Sequence, residues 1–145
     1  MKPPSLSSET VHASCVAIGG AAVLLTGRSG SGKSDLALRL IDRGAMLVSD
    51  EYTFLLRSDG RLLASAPASI SGKIEVRGVG IVEMKSVRDV PVTLLVDLDE
   101  APERLPRGSR TRVIAGVPVP AIGLSALEPS APITVEAAAK LFGTT

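Results

Sequence analysis

The chain has 145 residues, of which 45% are hydrophobic and only 2% aromatic, and its formal net charge is +1. This length predicts a single domain over residues 1–145, with a core of Val, Leu, Ile and Ala rather than aromatic side chains. The near-neutral charge argues against nucleic acid or a membrane surface as a partner. One cysteine, Cys15, excludes an internal disulfide framework and favours a location in the reducing cytoplasm.

The N-terminal part predicts an arm followed by a hairpin. Residues 1–9 are polar and rich in Pro and Ser, which is typical of a flexible arm. The apolar stretch after them is divided by Gly19 and Gly20 and is too short to cross a bilayer. We therefore expect two strands, near 11–18 and 21–26, joined by a Gly-Gly turn.

The segment "LLTGRSGSGKSDLALRL" contains a complete G-x-x-x-x-G-K-[ST] motif between an apolar strand and a predicted helix over 33–43. Glycines in such a loop let successive backbone N–H groups point at phosphate oxygens, and the helix N-terminus adds partial positive charge. The motif predicts binding of a nucleotide or polyphosphate, with Lys33 reaching the β- and γ-phosphates and the Ser34 hydroxyl binding Mg²⁺. The predicted nucleotide-binding residues are Gly27, Arg28, Ser29, Gly30, Ser31, Gly32, Lys33 and Ser34.

Two acids end the next apolar strand, "AMLVSDE", at Asp50 and Glu51. The crossover rule places this strand beside the strand before the glycine-rich loop and parallel to it, which would bring Asp50 toward the phosphates. In an NTPase interpretation, Asp50 would hold Mg²⁺ and Glu51 would activate water. A second acid, Asp97, also ends an apolar run, and we interpret it as a solvent-facing acid at a strand end.

The rest of the chain predicts further strands and one more helix. In "KIEVRGVGIVEM", Glu75 and Arg77 would project from the same face of an extended segment, where they could hold a metal and a phosphoryl oxygen or form a structural ion pair. Residues 100–112 are charged and contain two prolines, which predicts an exposed loop. The remaining predicted elements are a hairpin of 52–57 and 61–65, a strand over 90–98, an extended segment over 117–124 and a helix over 132–142.

Three motifs in order, "GRSGSGKSD", "LVSDE" and "IEVRGVGI", resemble the catalytic domain of the HPr kinase/phosphorylase family. The segments "VHASCVAI" and "GVPVPAI" match that domain in order and approximate spacing, so the resemblance covers about residues 10–140. It implies an α/β fold, namely a P-loop kinase core of the HPr kinase and phosphoenolpyruvate carboxykinase type with a mixed sheet and few helices. It also implies assembly as a homo-oligomer, usually a hexamer.

The resemblance further implies an ATP- and Mg²⁺-dependent kinase for a serine of the phosphocarrier HPr or an HPr-like protein, in the regulation of carbohydrate metabolism. Asp50 would be the catalytic base, and Glu51 and Glu75 would lie at Mg²⁺ with Ser34. The other residues that the resemblance assigns to catalysis are Lys33, Arg77, His12 and Arg88.

Some features depart from the family pattern. The second acid is Glu51 where the family typically has Asp, and the loop after the signature is reduced to "KSVRDV". We also expect a protein without the separate N-terminal domain of longer members. We therefore expect a short form with weak or absent reverse phosphorylase activity. Two alternatives stay open, a P-loop small-molecule kinase or ATPase and a nucleotide-binding regulator without catalysis.

Overall fold

The computed structural model describes residues 7–103 and 110–142. The described strands are β1 (Ser8–Val11), β2 (Ala13–Ile18), β3 (Ala21–Thr26), β4 (Met46–Ser49), β5 (Thr53–Ser58), β6 (Arg61–Ser65), β7 (Lys73–Val76), β8 (Gly80–Glu83), β9 (Val90–Asp97), β10 (Thr111–Ile114) and β11 (Val117–Gly123). The helices are α1 (Lys33–Asp42) and α2 (Ala131–Phe142), with a short 3₁₀ turn over Ala68–Ile70. Of the helices in these two ranges, none has the length and apolar character needed to cross a membrane.

Over residues 7–103 and 110–142, the main element of the fold is one mixed β-sheet of nine strands. Within the described residues its order is β1-β5-β6-β9-β3-β2-β4, and β11 pairs parallel with β9 and antiparallel with β10. The central pair, β3 and β9, is parallel, so both strands end at the same edge of the sheet. β7 and β8 form a separate antiparallel ribbon.

The two faces of the sheet bury two apolar clusters. The first lies under the helices and includes Leu25 of β3, Leu36 of α1 and Val135 of α2. The second contains Leu24 and residues of β2, β5, β6 and β9 but no helix residue, so there the curled sheet packs on itself. Leu24 and Leu25 face opposite clusters because neighbouring residues of a strand project to opposite faces.

The core composition agrees with the prediction from the sequence. The largest fully buried side chains in the described chain are all Leu, Ile or Val. Cys15 is fully buried in the second cluster, and this burial raises the pKa of its thiol. The thiol therefore behaves as a small apolar group in the core.

Several predicted elements need correction. Ser8 and Glu9 are not part of an arm, because they lie in β1 and pair with β5 at the sheet edge, where the Glu9 carboxylate accepts the Ala115 N–H at 3.2 Å. The predicted strand over 11–18 is two strands that meet at His12. The predicted loop over 100–112 ends earlier, since Thr111 opens β10, while residues 104–109 lie outside the described residues.

The position of β4 also differs from the prediction. β4 runs parallel to β3, as expected, but it does not lie beside it. The place next to β3 is taken by β2, its hairpin partner, and β4 pairs antiparallel with β2 on the far side. The crossover rule therefore gave the correct direction and the wrong neighbour, because it took no account of the preceding hairpin.

The second helix is attached to the first by polar contacts of two arginines. Arg43 pairs with Glu136 at 2.8 Å, and this hydrogen bond and the Glu136 charge raise the pKa of Arg43. Arg39 donates to the backbone carbonyl groups of Ala126 and Glu128. These contacts hold the segment before α2 against the helix that begins at the glycine-rich loop.

Replacing Leu25 by Ala should destabilise the protein by about 2–5 kcal/mol, because the fully buried side chain would leave a cavity between β3 and the helices. Urea unfolding followed by circular dichroism measures the change. The matched control is Leu127→Ala, whose side chain is 84% exposed and should change stability by less than about 0.5 kcal/mol. Equal losses in the two variants would contradict this description of the core.

Candidate active site

The glycine-rich loop leaves β3 at Gly27 and enters α1 at Lys33. Gly32 has φ 97°, a conformation that favours glycine, and it lies at the N-terminus of α1. A Cβ atom at Gly27 would meet Ser31 Oγ at 2.6 Å, so any other residue there would displace the Ser31 side chain. Ser31 Oγ is itself buried and has no hydrogen-bond partner in the described structure. A buried hydroxyl in this loop is free to bind a ligand oxygen.

Lys33 is folded into the loop. Its ammonium group donates to the carbonyl oxygens of Gly27 and Arg28, at 2.7 and 2.9 Å, and the residue is only 7% exposed. Arg28, Ser29 and Gly30 are exposed at the tip of the same loop. The loop therefore holds a cation near its centre, where phosphate oxygens of a bound nucleotide could replace the two carbonyl groups.

Asp50 accepts three hydrogen bonds from three different elements. Its Oδ1 accepts the hydroxyl groups of Ser34 at 2.6 Å and Ser14 at 2.8 Å, and its Oδ2 accepts the backbone N–H of Glu75 at 3.0 Å. The residue is 4% exposed. The predicted approach of Asp50 to the loop is therefore present even though β4 does not lie beside β3.

A pocket of about 580 Å³ opens next to Asp50. Glu51, Glu75, Ile81 and Lys73 line it, and Glu51 adopts a positive φ of 67° in the turn after β4. The two predicted acids Glu51 and Glu75 are exposed and share this pocket with Asp50. Another pocket, of about 310 Å³, lies between β11 and α2 and contains none of the predicted site residues.

The donor chemistry at this site suits Mg²⁺. The Ser34 hydroxyl and the Asp50 carboxylate are in contact, and Mg²⁺ prefers hard oxygen ligands from one or two carboxylates together with phosphates and water. Glu51 and Glu75 add carboxylates to the adjoining pocket. In residues 7–103 and 110–142, no group of three or more His, Cys, Asp or Glu is arranged to hold a metal by itself.

Three predicted catalytic residues lie apart from these contacts. His12 is exposed and its ring contacts that of Tyr52, with centroids 5.1 Å apart. Arg77 is exposed in the turn between β7 and β8, and Arg88 is exposed and pairs with Asp89 at 3.3 Å. Across the described chain, no hydrogen bond or ion pair joins any of the three to Asp50. Their roles stay predictions.

Two acids, Asp97 and Asp99, anchor the glycine-rich loop, a role that the sequence analysis did not predict. The Asp99 carboxylate accepts the backbone N–H of Arg28 at 2.9 Å and faces its guanidinium at 3.6 Å. The Asp99 N–H donates to Asp97, which also accepts Arg112 at 2.9 Å. Asp97 is 16% exposed, so its interpretation as a solvent-facing acid was wrong. The signal available in the sequence was the strand "TLLVDLD", which in fact pairs with β3.

Opposing effects act on the pKa of Asp97. Partial burial would raise it, but the hydrogen bonds from Arg112 and from the Asp99 N–H, with the charges of Arg112 and Arg110, lower it. The carboxylate therefore stays ionised in the folded protein at a pH where an unfolded chain would bind a proton. Its ion pair joins β10 to the end of β9, beside the glycine-rich loop.

These features define a mixed α/β protein in which a P-loop motif joins a strand to a helix and a buried acid faces the first turn of that helix. The model of the HPr serine kinase C-terminal domain matches residues 5–142. The chain therefore belongs to this family.

Relatives and a solved structure agree with this assignment. The chain is 35% identical over 126 residues to the HPr kinase/phosphorylase of Lacticaseibacillus casei (strain BL23), a match that covers 78% of this chain and 40% of the relative. It is 44% identical over 80 residues to that of Clostridium botulinum (strain Eklund 17B / Type B), covering 54% of this chain and 26% of the relative. The chain thus spans less than half the length of these curated relatives.

The fold matches the structure of the Hpr(Ser) kinase/phosphatase from Coxiella burnetii with a TM-score of 0.80 and 30% sequence identity. The alignment covers 92% of this chain and 89% of that one. The predicted fold class, a P-loop core of the HPr kinase type with a mixed sheet and few helices, is confirmed.

Replacing Asp97 by Asn should lower the free energy of unfolding at neutral pH. It should also make that free energy fall less steeply as the pH is lowered. Because the pKa of Asp97 is lowered on folding, its contribution is fully present above the ordinary Asp range near pH ~4 and is lost as pH falls through the lower folded value. Urea midpoints measured from pH 7 down to pH 3 test this. Asp59→Asn, in an exposed hairpin turn, is the control and should follow the wild type. If the urea midpoint of Asp97→Asn fell with pH as steeply as that of the wild type, the result would contradict the ion pair.

Proposed function

We propose that the protein is an ATP- and Mg²⁺-dependent kinase that phosphorylates a serine of HPr or of an HPr-like phosphocarrier. The observation that carries the proposal is the position of Asp50, a buried carboxylate 2.6 Å from the hydroxyl of the P-loop Ser34. A base for phosphoryl transfer must lie close to the γ-phosphate and within reach of the attacking hydroxyl. Family membership and the names of the relatives support the same reaction.

Different residues of the chain would bind the phosphates of ATP and hold the metal ion. The loop N–H groups and Lys33 bind the phosphates of ATP, and Lys33 exchanges its contacts to Gly27 and Arg28 for phosphate oxygens. Ser34, with Glu51 and Glu75 nearby, would hold Mg²⁺, which neutralises charge on the phosphates when bound. These groups position the γ-phosphoryl group at the opening beside Asp50.

Asp50 then acts on the acceptor. The serine hydroxyl of the carrier attacks the γ-phosphorus, Asp50 takes the hydroxyl proton, and the bond from phosphorus to the β-phosphate oxygen breaks to release ADP. Arg77, Arg88 and His12 are exposed and can approach the phosphoryl group or the acceptor when the carrier is bound. In the reverse direction, the proton on Asp50 would return to the serine oxygen as inorganic phosphate removes the phosphoryl group.

The pocket beside Asp50 favours a macromolecular acceptor over water. Ile81 is 66% exposed at its rim, and Val79 is 75% exposed at the tip of the same ribbon. Exposed apolar side chains beside an opening suit contact with a protein surface. A cytoplasmic location, which the single cysteine favours, and assembly as a hexamer, which the family resemblance implies, belong to the same proposal.

Replacing Asp50 by Asn should abolish most phosphoryl transfer, by about 10²–10⁴-fold, while ATP binding is retained. The amide keeps the local contacts, because its oxygen can accept the Glu75 N–H and its NH₂ group can donate to the two serine hydroxyls, which can rotate to accept. Lys33→Ala should lose ATP binding as well. The measurement is transfer of label from γ-labelled ATP to a carrier serine, with ATP binding followed by calorimetry.

Three results would distinguish the alternatives. Label on the carrier serine that disappears in Asp50→Asn supports the kinase. Release of labelled phosphate without a labelled carrier would indicate an ATPase. ATP binding with neither product would indicate a nucleotide-binding regulator, and addition of inorganic phosphate to labelled carrier tests the reverse reaction.

A further inference from the structure

A fully buried serine, Ser14, contacts the predicted base. Its hydroxyl donates to Asp50 Oδ1 at 2.8 Å across 36 residues of sequence, and the residue is 0% exposed. Its neighbours in β2, Ala13 and Cys15, belong to the apolar cluster on the other face of the sheet. A hydroxyl buried in such a strand must find a partner, and in this protein that partner is Asp50.

Ser14 lies on the face of β2 that looks toward the P-loop helix. It pairs across the strands with Leu25 of β3, and Val16, two residues further on the same face, packs in the cluster under α1. Two neighbours of Ser14 on this face are thus apolar, and Asp50 is the polar partner of its hydroxyl. A hydroxyl there places a hydrogen-bond donor against the inner side of the Asp50 carboxylate.

The three donors to Asp50 differ in what happens to them during the proposed reaction. Ser34 is the predicted Mg²⁺ ligand, so its hydroxyl would be shared between the metal, through an oxygen lone pair, and Oδ1, through its proton. Ser14 and the Glu75 N–H have no such second role, and Ser14 cannot touch substrate because it is fully buried. Of the two hydroxyl donors to Oδ1, Ser14 is therefore the one whose only partner, among the described residues, is Asp50.

We infer that Ser14 is a positioning residue that holds the Asp50 carboxylate in its orientation toward the acceptor hydroxyl from the buried side of the site. The inference rests on the proposed kinase function. It assigns no chemical step to Ser14, whose hydroxyl keeps its proton throughout. Without this fixed donor the carboxylate would be less firmly oriented, and a small misplacement of a catalytic group lowers the rate strongly.

Ser14→Ala should lower kcat for carrier phosphorylation by about tenfold and leave the KM for ATP within about twofold of the wild type. Ser14→Thr, which retains the hydroxyl and suits a strand, should restore most of kcat. The control is Thr93→Val. Thr93 also carries a buried hydroxyl, but that hydroxyl has no hydrogen-bond partner in the described structure, and the residue lies within β9, four residues before Asp97.

An unchanged kcat in Ser14→Ala, or a loss that Ser14→Thr does not restore, would overturn the inference. An equal loss of kcat in Thr93→Val would also overturn it, because it would point to a general effect of removing a buried hydroxyl. A loss in Ser14→Ala that appears mainly in the KM for ATP would assign Ser14 to loop structure instead.

A second measurement does not depend on kinase activity. The urea unfolding of Ser14→Ala, Asp50→Ala and the double variant forms a cycle, in which the two changes should be clearly non-additive because the side chains are in direct contact. The cycle of Thr93→Val with Asp50→Ala should be additive, because no hydrogen bond joins the two side chains. If the wild type failed to phosphorylate the carrier, the proposed function would fall, while additivity in the first cycle would overturn the Ser14 contact on its own.

Discussion

The arrangement of the site depends on one buried carboxylate. Asp50 is bound by a hydroxyl of β2, a hydroxyl of α1 and a backbone N–H of β7, so one side chain joins the sheet, the P-loop helix and the separate ribbon. A buried charge is tolerated only where hydrogen bonds replace its lost hydration. The same contacts that make burial of Asp50 possible therefore fix the relative positions of the elements around it.

The loop on the other side of the site is held by strands that meet at one sheet edge. β3 and β9 are parallel and end at the same edge of the sheet, so Asp97 and Asp99 lie beside the loop that follows β3. Arg112 extends this contact to β10. Asp99 thus anchors the glycine-rich loop at Arg28, one residue after the loop leaves β3.

The sequence predicted the glycine-rich loop between a strand and a helix because that motif is local, and it failed where position depends on pairing over long range. Gly27, Gly32, Lys33 and Ser34 are recognisable from spacing alone. The wrong neighbour of β4 and the unexpected β1 follow from strand pairing, which adjacent residues do not encode. Ser14 and Asp99 lie 36 and 71 residues from their partners, so no local pattern could assign their contacts.

The turn that carries Glu51 has a consequence for heat resistance. A glutamate at a φ of 67° costs about 1 kcal/mol or more relative to glycine or asparagine, which tolerate the left-handed region. The flanking contacts hold it there, since the Tyr52 N–H donates to the Asp50 carbonyl at 2.8 Å and Ser49 donates to the Tyr52 carbonyl. A search for thermostable variants would therefore select glycine or asparagine at residue 51, and each would remove a carboxylate from the pocket. Tolerance of heat and the proposed chemistry compete for this single position.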